Sequence, residues 1–320
     1  MLIPSFMLFL FMYLISFLFV MSNDDWFLVW LGLEINMLSF IIMIYKRYDM
    51  LVMESCMKYF FIQSMGSAVL MGCFFLDLEM FSEILILMLS YKIGAGPFFM
   101  WFPSVCGGLS WFSCFVLMTF QKLIPLMLMG MFVSWIIWWM VMMSLVFGAC
   151  GSFNQKDIKR LLAYSSIHHL GWMMLCILLN DGFWLIYLFL YSIILLNIVY
   201  LFKEYEVIDL IVINKWKGKW WFVMGMLSMA GMPPLLGFFL KWMAFVYILN
   251  MNFICILFLI LMSVVMFYIY IRVMYDILMD TAGGLSWSNY VIYKNYIDKM
   301  DYFSVFGLLL GVMVGVMLVF

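Results

Sequence analysis

The sequence predicts an all-α integral membrane protein, and three observations lead to this prediction. Of the 320 residues, 69% are hydrophobic and only 10% are charged, and the mean hydropathy is +1.16. A soluble domain is roughly 45–50% apolar and about 25% charged, so a chain of this size could not hide so much apolar surface from water. In addition, apolar runs of about 20 residues, the length that a helix needs to cross a bilayer, recur along the whole chain.

Polar residues and Gly- or Asn-rich breaks divide the chain into eleven predicted spans. These are 3–21, 26–44, 54–76, 81–103, 111–132, 134–150, 157–179, 183–202, 220–248, 252–279 and 303–320. Two long spans, 81–103 and 220–248, contain both Gly and Pro, so we expect them to be broken helices. No segment is left that could form a soluble domain, which predicts a single transmembrane domain over residues 1–320.

The basic residues predict the orientation of the spans, because Lys and Arg collect in loops on the negative side of a membrane. Loops after odd-numbered spans contain no Lys or Arg. Loops after even-numbered spans, together with the first turn of the span that follows, contain eleven of the sixteen basic residues: Lys46, Arg47, Lys156, Lys159, Arg160, Lys203, Lys215, Lys217, Lys219, Lys294 and Lys299. We therefore expect the N-terminus on the negative side, which is the cytoplasm or the mitochondrial matrix, and the C-terminus on the opposite side.

Five basic residues lie deeper in the predicted spans, beyond the first turn. Lys58 and Arg272 lie near span ends, where a long side chain can extend to the lipid headgroups. Lys92 and Lys122 fall near the middle of their spans, and Lys241 lies about two turns from the end of a broken span. These last three lysines require an explanation beyond anchoring at the membrane surface.

Glu34, in the stretch WLGLEINML, is also central in its span. A charge at the bilayer centre costs about 2.5–3.5 kcal/mol on insertion scales, so Glu34 and the three central lysines together cost roughly 10 kcal/mol before partners are counted. Such a cost favours a functional role; the alternative is a set of ion pairs that fixes helix register. We expect Glu34 to lie within a few ångströms of Lys92 and to pair with it.

Proton transfer is the chemistry that these residues predict. Burial disfavours the charged form of a lysine and a nearby carboxylate favours it, so a lysine whose partner moves can load and release a proton. The prolines fit this interpretation, because Pro97 follows Lys92 and Pro233 and Pro234 precede Lys241. Backbone freed by proline at membrane depth must face protein or a watered cavity. Interrupted helices in two halves of a chain are typical of inverted-repeat transporters.

Cysteine spacing, glycine pattern and net charge argue against other classes. No two of the seven cysteines have C-x-x-C spacing, which leaves an iron–sulfur cluster, structural zinc or a redox disulfide unsupported. No Gly-rich phosphate loop is present for NADH or flavin. A net charge of −1 offers no basic surface to nucleic acid. The sequence therefore predicts no cofactor in this chain.

Five stretches, in chain order, carry a family resemblance: WLGLEINMLSF, YKIGAGPFFMWFP, TFQKLIPL, NQKDIKRLLAYSSIHHLGWMM and GMPPLLGFFLKW. Together they resemble the subunit 2 family of NADH dehydrogenase, the antiporter-like membrane subunits of mitochondrial respiratory complex I. The resemblance implies an antiporter-like inverted-repeat architecture that lacks the first three helices and has eleven spans. It also implies the mitochondrial inner membrane, with the N-terminus in the matrix and the C-terminus on the intermembrane-space side.

The resemblance implies a core subunit of NADH:ubiquinone oxidoreductase that contributes proton translocation while electrons pass from NADH to ubiquinone. This chain would then have no redox active site, and flavin and iron–sulfur clusters would lie elsewhere in the complex. The implied partners are other complex I subunits, especially neighbouring antiporter-like ones, and membrane lipids.

The resemblance also implies roles for the buried charges. Glu34 matches the buried glutamate of the family, Lys92 its partner lysine on a broken helix, Lys122 the central lysine, and Lys241 the lysine on the second broken helix. We expect the path to be organised around Lys122, with Thr119 and Gln121 of its TFQK stretch ordering water beside it.

The chain departs from the family pattern at two positions. Phe99 stands where many relatives have a histidine, so one relay group is absent. His169 matches the histidine that relatives usually have in AYSSIHHLGW, and His168 is an addition. Adjacent helical residues point about 100° apart, which argues against the pair chelating a metal. Two roles stay open for His169, a proton relay or a packing histidine.

Two rival functions remain. A cation/proton antiporter would share the same Glu/Lys axis, and copurification with a flavin-containing assembly would separate it from complex I. A purely structural membrane subunit predicts that Lys92→Met and Lys122→Met leave proton pumping unchanged.

Overall fold

The computed structural model describes residues 4–23, 25–75, 80–179, 182–205, 219–233, 235–248 and 253–279. Within these ranges the chain is helical and contains no strand, so the predicted all-α class is confirmed. The helices are α1 (Pro4–Ser22), α2 (Trp26–Ile44), α3 (Met50–Phe75), α4 (Phe81–Ile93), a 3₁₀ turn (Gly96–Phe98), α5 (Trp101–Gly108), α6 (Trp111–Met118), α7 (Phe120–Met131), α8 (Trp135–Ser152), α9 (Ile158–Leu179), α10 (Phe183–Tyr205), α11 (Lys219–Ala230), α12 (Leu236–Ile248) and α13 (Phe253–Met279).

Each predicted span between residues 3 and 279 coincides with one helix or with consecutive helices. Span 81–103 corresponds to α4, the 3₁₀ turn and α5, and span 220–248 corresponds to α11 and α12. Span 111–132 differs from the expectation of one continuous helix, because α6 and α7 meet at Thr119, whose φ of −120° and ψ of −77° are not helical. The last predicted span, 303–320, lies outside the described residues.

Several helices have the length and composition of membrane spans. Five described helices meet this criterion, as does the stretch Trp111–Met131 that α6 and α7 form together. The pair Phe81–Phe98 and Trp101–Gly108, bent by 93°, would form a seventh span. Large apolar side chains face outward, for example Leu18, Trp135 and Phe189, which are 68%, 82% and 64% exposed. An apolar surface of this kind is stable against lipid, which supports a multi-pass membrane protein.

The helix contacts divide the chain into two compact units. Unit 1 contains Met1–Gly148 and Leu162–Leu178, and unit 2 contains Ala149–Leu161 and Leu179–Phe320. In unit 1, α1 packs on α2, α2 on α3, α3 on α4 and α5, and α4 on α7. In unit 2, α10 packs on α11 and α12, and α11 packs on α12 and α13. A single domain over residues 1–320 stays a prediction.

Small residues allow α8 and α9 to approach closely inside unit 1. A Cβ atom added at Gly148 would lie 2.7 Å from the backbone nitrogen of His168, and one added at Gly171 would lie 2.7 Å from Oγ of Ser144. Helices in lipid associate largely through such close packing of small residues. The contact fixes the position of α9, which contributes to the site described next.

We expect Gly148→Ala to lower the stability of the assembled protein by about 1–3 kcal/mol, because the new methyl group meets backbone rather than a mobile side chain. The matched control is Gly72→Ala in α3, where an added Cβ meets nothing within 4 Å and alanine favours the helix. Thermal unfolding in detergent checks both variants. An equal or higher midpoint for Gly148→Ala would contradict the close packing of α8 and α9.

Candidate functional site

Three of the predicted site lysines are buried, and each lies beside a discontinuity in a helix. Lys92, Lys122 and Lys241 are 7%, 1% and 8% exposed. In contrast, Lys58 pairs with Glu54 at 2.6 Å on the surface of α3, with a side chain that is 45% exposed. Burial therefore distinguishes the three central lysines from Lys58, which was expected to extend to the lipid headgroups.

Lys92 occupies the last turn of α4, which a left-handed glycine ends. Gly94 has a φ of 74°, a conformation that disfavours residues with a Cβ atom. The Ala95 N–H returns to the Ser90 carbonyl at 2.9 Å, as in a Schellman ending. The chain then forms the 3₁₀ turn that contains Pro97 before α5 begins.

Side chains and turn amides take up carbonyl groups that the end of α4 releases. The Tyr91 carbonyl accepts the Gly94 N–H at 3.2 Å and the Trp101 indole N–H at 3.1 Å. The Lys92 carbonyl accepts the Gln63 amide from α3 at 2.8 Å. Since an unpaired carbonyl in a dry interior costs about 1–3 kcal/mol, Gln63 stabilises the break at the residue that carries the lysine.

The face of α3 toward Lys92 also provides space for its side chain. Gly66 lies three residues after Gln63, on the same helix face. A Cβ atom at Gly66 would lie 3.2 Å from Cγ of Lys92 and 3.2 Å from Cδ1 of Tyr91. Glycine at this position therefore lets the aliphatic part of Lys92 lie directly against α3.

Lys122 follows the Thr119 discontinuity by three residues. Its ammonium nitrogen donates to the Ser166 carbonyl on α9 at 3.1 Å and lies 5.2 Å from the centre of the Phe102 ring. A carbonyl has two lone pairs, so a helical carbonyl can accept this second bond, and a ring face attracts a cation. Both contacts favour the charged form of a lysine that is almost fully enclosed.

Lys241 lies on α12 and reaches back to the end of α11. Its ammonium nitrogen donates to the Ala230 carbonyl at 2.7 Å, and Ala230 is the last residue of α11. Gly231, with a φ of 86°, directs the chain away so that the end of the helix stays accessible. The negative end of the helix dipole adds to the attraction. Pro234, predicted to mark this interruption, lies outside the described residues.

Lys92 and Lys122 line the same small cavity in unit 1. The cavity has a volume of about 30 Å³, which is room for about two water molecules. Its lining residues are Leu33, Asn36, Met37, Tyr59, Gln63, Lys92, Ile93, Trp101, Phe102, Leu117, Gln121, Lys122, Ile124 and Pro125. Two lysines, three amides and a hydroxyl group thus surround a space that water can occupy.

Glu34 does not form the predicted direct pair with Lys92. In the part of the chain that the structure describes, no carboxylate lies within 4.0 Å of the Lys92 ammonium nitrogen. An electrostatic interaction links the two groups over a longer distance. The expectation of a contact ion pair is therefore wrong.

The phase of α2 explains this difference. Leu33, Asn36 and Met37 line the cavity, and Glu34 points about 100° away from Leu33 because successive helical residues turn by that angle. Glu34 is half-buried and lies on the same stripe as Phe27 and Leu38, which are 47% and 46% exposed. Glu34 therefore projects to one side of the residues of α2 that line the cavity.

His169 and Phe99 occupy different surroundings. His169 is 3% exposed and follows Ser166, the acceptor of Lys122, by three residues on α9, yet it does not line the cavity. Its two possible roles stay open. Phe99 stacks on Phe147 with ring centres 4.6 Å apart and lies 6.2 Å from the Tyr164 ring. An aromatic contact thus occupies the position at which the family resemblance implies a histidine.

Asn36, Tyr59 and Gln63 are members of the site that the sequence prediction missed. Gln63 is a polar residue near the centre of span 54–76, and Tyr59 precedes it by one turn. That spacing was a usable signal, because residues four apart share a helix face. Of the two residues expected to order water, Gln121 lines the cavity, while the Thr119 hydroxyl donates to the Phe115 carbonyl of α6 at 2.7 Å.

Within the described residues, no group of three or more His, Cys, Asp or Glu side chains could hold a metal ion. The described part of the site thus offers protein groups that bind protons and a cavity that accepts water. That the chain holds no cofactor stays a prediction.

Comparisons with known proteins give a consistent result. Residues 76–267 match the family described as NADH:quinone oxidoreductase/Mrp antiporter, transmembrane. NADH-ubiquinone oxidoreductase chain 2 of Anopheles gambiae is 35% identical over 317 residues, which cover 93% of this chain and 92% of that protein. The protein of the same name from Aedes aegypti is 32% identical, with 92% and 93% covered.

Among solved structures, a chain of respiratory complex I from Thermus thermophilus with bound aureothin superposes with a TM-score of 0.78. The match covers 97% of this chain and 78% of that chain at 20% sequence identity. At this identity the likeness concerns the fold.

We expect Gln63→Leu to loosen the end of α4, because it leaves the Lys92 carbonyl without its side-chain donor at a cost of about 1–3 kcal/mol. Hydrogen exchange at the amides of residues 93–96 and 98 should accelerate. The control is Ser64→Ala, the neighbouring position on the exposed side of α3, whose hydroxyl bonds within its own helix to the Phe61 carbonyl at 3.0 Å. Equal exchange in both variants would show that Gln63 does not hold the break.

Proposed function

Because this chain belongs to the family of NADH-ubiquinone oxidoreductase chain 2, we propose that it is a membrane subunit of respiratory complex I and that its buried lysines carry protons. The complex transfers electrons from NADH to ubiquinone, and this chain contributes proton translocation without a redox centre of its own. Animal relatives that cover more than nine-tenths of the chain support a location in the mitochondrial inner membrane.

The cavity shared by Lys92 and Lys122 is the observation that carries this proposal. Two ammonium groups around one small space repel each other, so the arrangement is more stable when one of the two lysines is neutral. A proton can then pass between them through water, while the buried surroundings keep other ions out. A purely structural role would favour apolar side chains at these positions.

The other charged residues extend the path. Lys241, held against the end of α11, serves the second unit as Lys92 serves the first. Glu34 supplies a carboxylate whose charge favours the protonated form of Lys92. His169, one turn from the acceptor of Lys122, stays a candidate relay group.

The partners follow from the family and from the exposed surface. Other subunits of the complex, including neighbouring antiporter-like subunits, would cover part of the apolar surface, and lipid would cover the rest. The stripe of α2 with Phe27, Glu34 and Leu38 is best suited to a protein partner, since a half-buried carboxylate facing lipid would be costly.

We propose further that the N-terminus faces the matrix and the C-terminus the intermembrane space, on the strength of the Lys and Arg distribution. An Arg47→Cys variant in a Cys150→Ser background tests this, because residues 45–50 are exposed. An impermeant thiol reagent should label the new cysteine in inside-out vesicles and leave it unlabelled in intact mitochondria without their outer membrane. The reverse labelling pattern would overturn the orientation.

We expect Lys122→Met to lower the proton-pumping rate of the assembled complex by about 10²-fold, since a positioned proton-transfer group contributes roughly 10²–10⁴. Methionine keeps the length of the side chain and its apolar packing, so assembly should survive. If electron transfer and pumping are tightly coupled, NADH:ubiquinone turnover falls with it. Proton uptake per electron pair in reconstituted vesicles gives the measurement.

The matched control is Lys58→Met, which removes a surface lysine paired with Glu54 and should leave pumping unchanged. An assembled Lys122→Met complex with normal turnover and normal proton stoichiometry would refute the role of Lys122. Normal pumping in Lys92→Met as well would favour a structural subunit.

A further inference from the structure

A gap separates Glu34 from the cavity that contains Lys92 and Lys122. Within the described residues no contact ion pair bridges it, and Glu34 does not line the cavity. A proton that passes between Glu34 and the lysines would need a connecting group between them. The gap is therefore a place to search for a further residue of the path.

The Glu34 face of α2 borders α3. Trp30, one turn before Glu34 on the same face, donates its indole N–H to the Ser67 carbonyl of α3 at 3.1 Å. The residues of α3 that lie deeper in the bundle are thus the nearest candidates to connect Glu34 with the cavity.

Tyr59 of α3 meets the requirements of position. It is 4% exposed, lines the cavity and lies one turn before Gln63, which holds the Lys92 carbonyl. Its ring packs between Phe40 at 5.3 Å and Trp101 at 6.1 Å. An electrostatic interaction also links its hydroxyl group to Glu34. Tyr59 thus borders the cavity from a fixed position and lies within the electrostatic influence of the Glu34 carboxylate.

Chemistry distinguishes Tyr59 from its neighbours. Among the described residues that line the cavity, it alone carries a hydroxyl group, which can donate one proton and accept another at the same atom. The amides of Asn36 and Gln63 cannot exchange protons this way at ordinary pH, and the Gln63 amide is already bonded to the Lys92 carbonyl.

We propose that the Tyr59 hydroxyl passes protons between the Glu34 carboxyl group and the cavity that holds Lys92 and Lys122. In one transfer the O–H bond of Tyr59 breaks as its proton goes to the neutral amine of Lys92, directly or through cavity water. A new O–H bond forms with the proton of the Glu34 carboxylic acid. Tyr59 ends neutral, Glu34 becomes a carboxylate and Lys92 becomes an ammonium, so protons and charge balance.

This proposal rests on the proposed function, and Tyr59→Phe tests it because only the hydroxyl oxygen is lost while the ring contacts stay. In the assembled complex we expect proton pumping coupled to NADH oxidation to slow by about tenfold, near the low end for a positioned proton-transfer group because cavity water partly replaces the hydroxyl. The loss of pumping rate should be larger at higher pH, because protons are then less abundant and their transfer depends more on a fixed relay group. A structural defect would lower the rate equally at every pH.

Tyr13→Phe is the matched control. Tyr13 is 5% exposed, also packs near Phe40 with ring centres 6.4 Å apart, and does not line the cavity. Its hydroxyl group makes no hydrogen bond within the described part of the structure. We expect this variant to pump normally at every pH.

The outcomes separate the two proposals when Lys122→Met is measured alongside. Slow, pH-dependent pumping in Tyr59→Phe with a normal Tyr13→Phe supports the relay. Normal pumping in both with a defective Lys122→Met overturns the role of Tyr59 and leaves the proposed function intact. Equal losses in both tyrosine variants overturn it as well, because the loss then reflects packing. Normal pumping in all three variants overturns the proposed function itself.

If Tyr59→Phe does not assemble, Tyr59→His and Tyr59→Leu take its place. Imidazole can donate and accept a proton, so the histidine variant should pump faster than the leucine variant. Equal rates in the two would overturn the proposal.

Discussion

Taking an ammonium group out of water and into a helical bundle is the constraint on which this structure depends. An unbroken membrane helix uses its own carbonyl groups for its own hydrogen bonds, so it has few strong acceptors to offer a lysine. A helix end releases carbonyls and adds the negative end of a dipole. Lys241 uses this directly through the Ala230 carbonyl, and Lys92 lies in the last turn of α4. At Lys241 the break and the lysine therefore occur together for an electrostatic reason, whereas Lys122 adds a second bond to a carbonyl within α9.

A break also carries a cost, because carbonyls released in a dry interior must find donors. At the end of α4 the Gln63 amide and the Trp101 indole take up the Lys92 and Tyr91 carbonyls. These are neutral donors from neighbouring helices with fixed positions. Because they occupy the backbone acceptors, the Lys92 ammonium is left to face the cavity. The break is thus rigid at the backbone, and the change of charge is confined to the side chain.

The sequence predicted the parts of this arrangement that are local. Glycine and proline next to a charge marked the interruption of α4, and the hydropathy pattern located the helices, because both effects act within one segment. The discontinuity at Thr119 was missed although Pro125 follows it by six residues, since a proline inside a helix does not specify where the distortion falls. The direct pair of Glu34 with Lys92 was wrong because it depends on the rotation of α2 relative to α4. The cavity is lined by residues of six helices, α2 to α7, and could not be predicted from any one of them.

The separation of Glu34 from the cavity has a consequence for how charge acts here. A contact ion pair would hold the proton on Lys92 and resist its release, since breaking a buried pair costs several kcal/mol. At a longer distance the interaction is weaker but still effective. At an effective dielectric constant of about 20, two unit charges about 8 Å apart interact by roughly 2 kcal/mol. That energy corresponds to more than a tenfold change in the equilibrium between protonated and neutral lysine. A change of charge at the outer face of α2 can then alter the occupancy of Lys92 without a large movement. Interaction over a distance, rather than contact, is what allows the same carboxylate to favour loading of the lysine and later to permit its release.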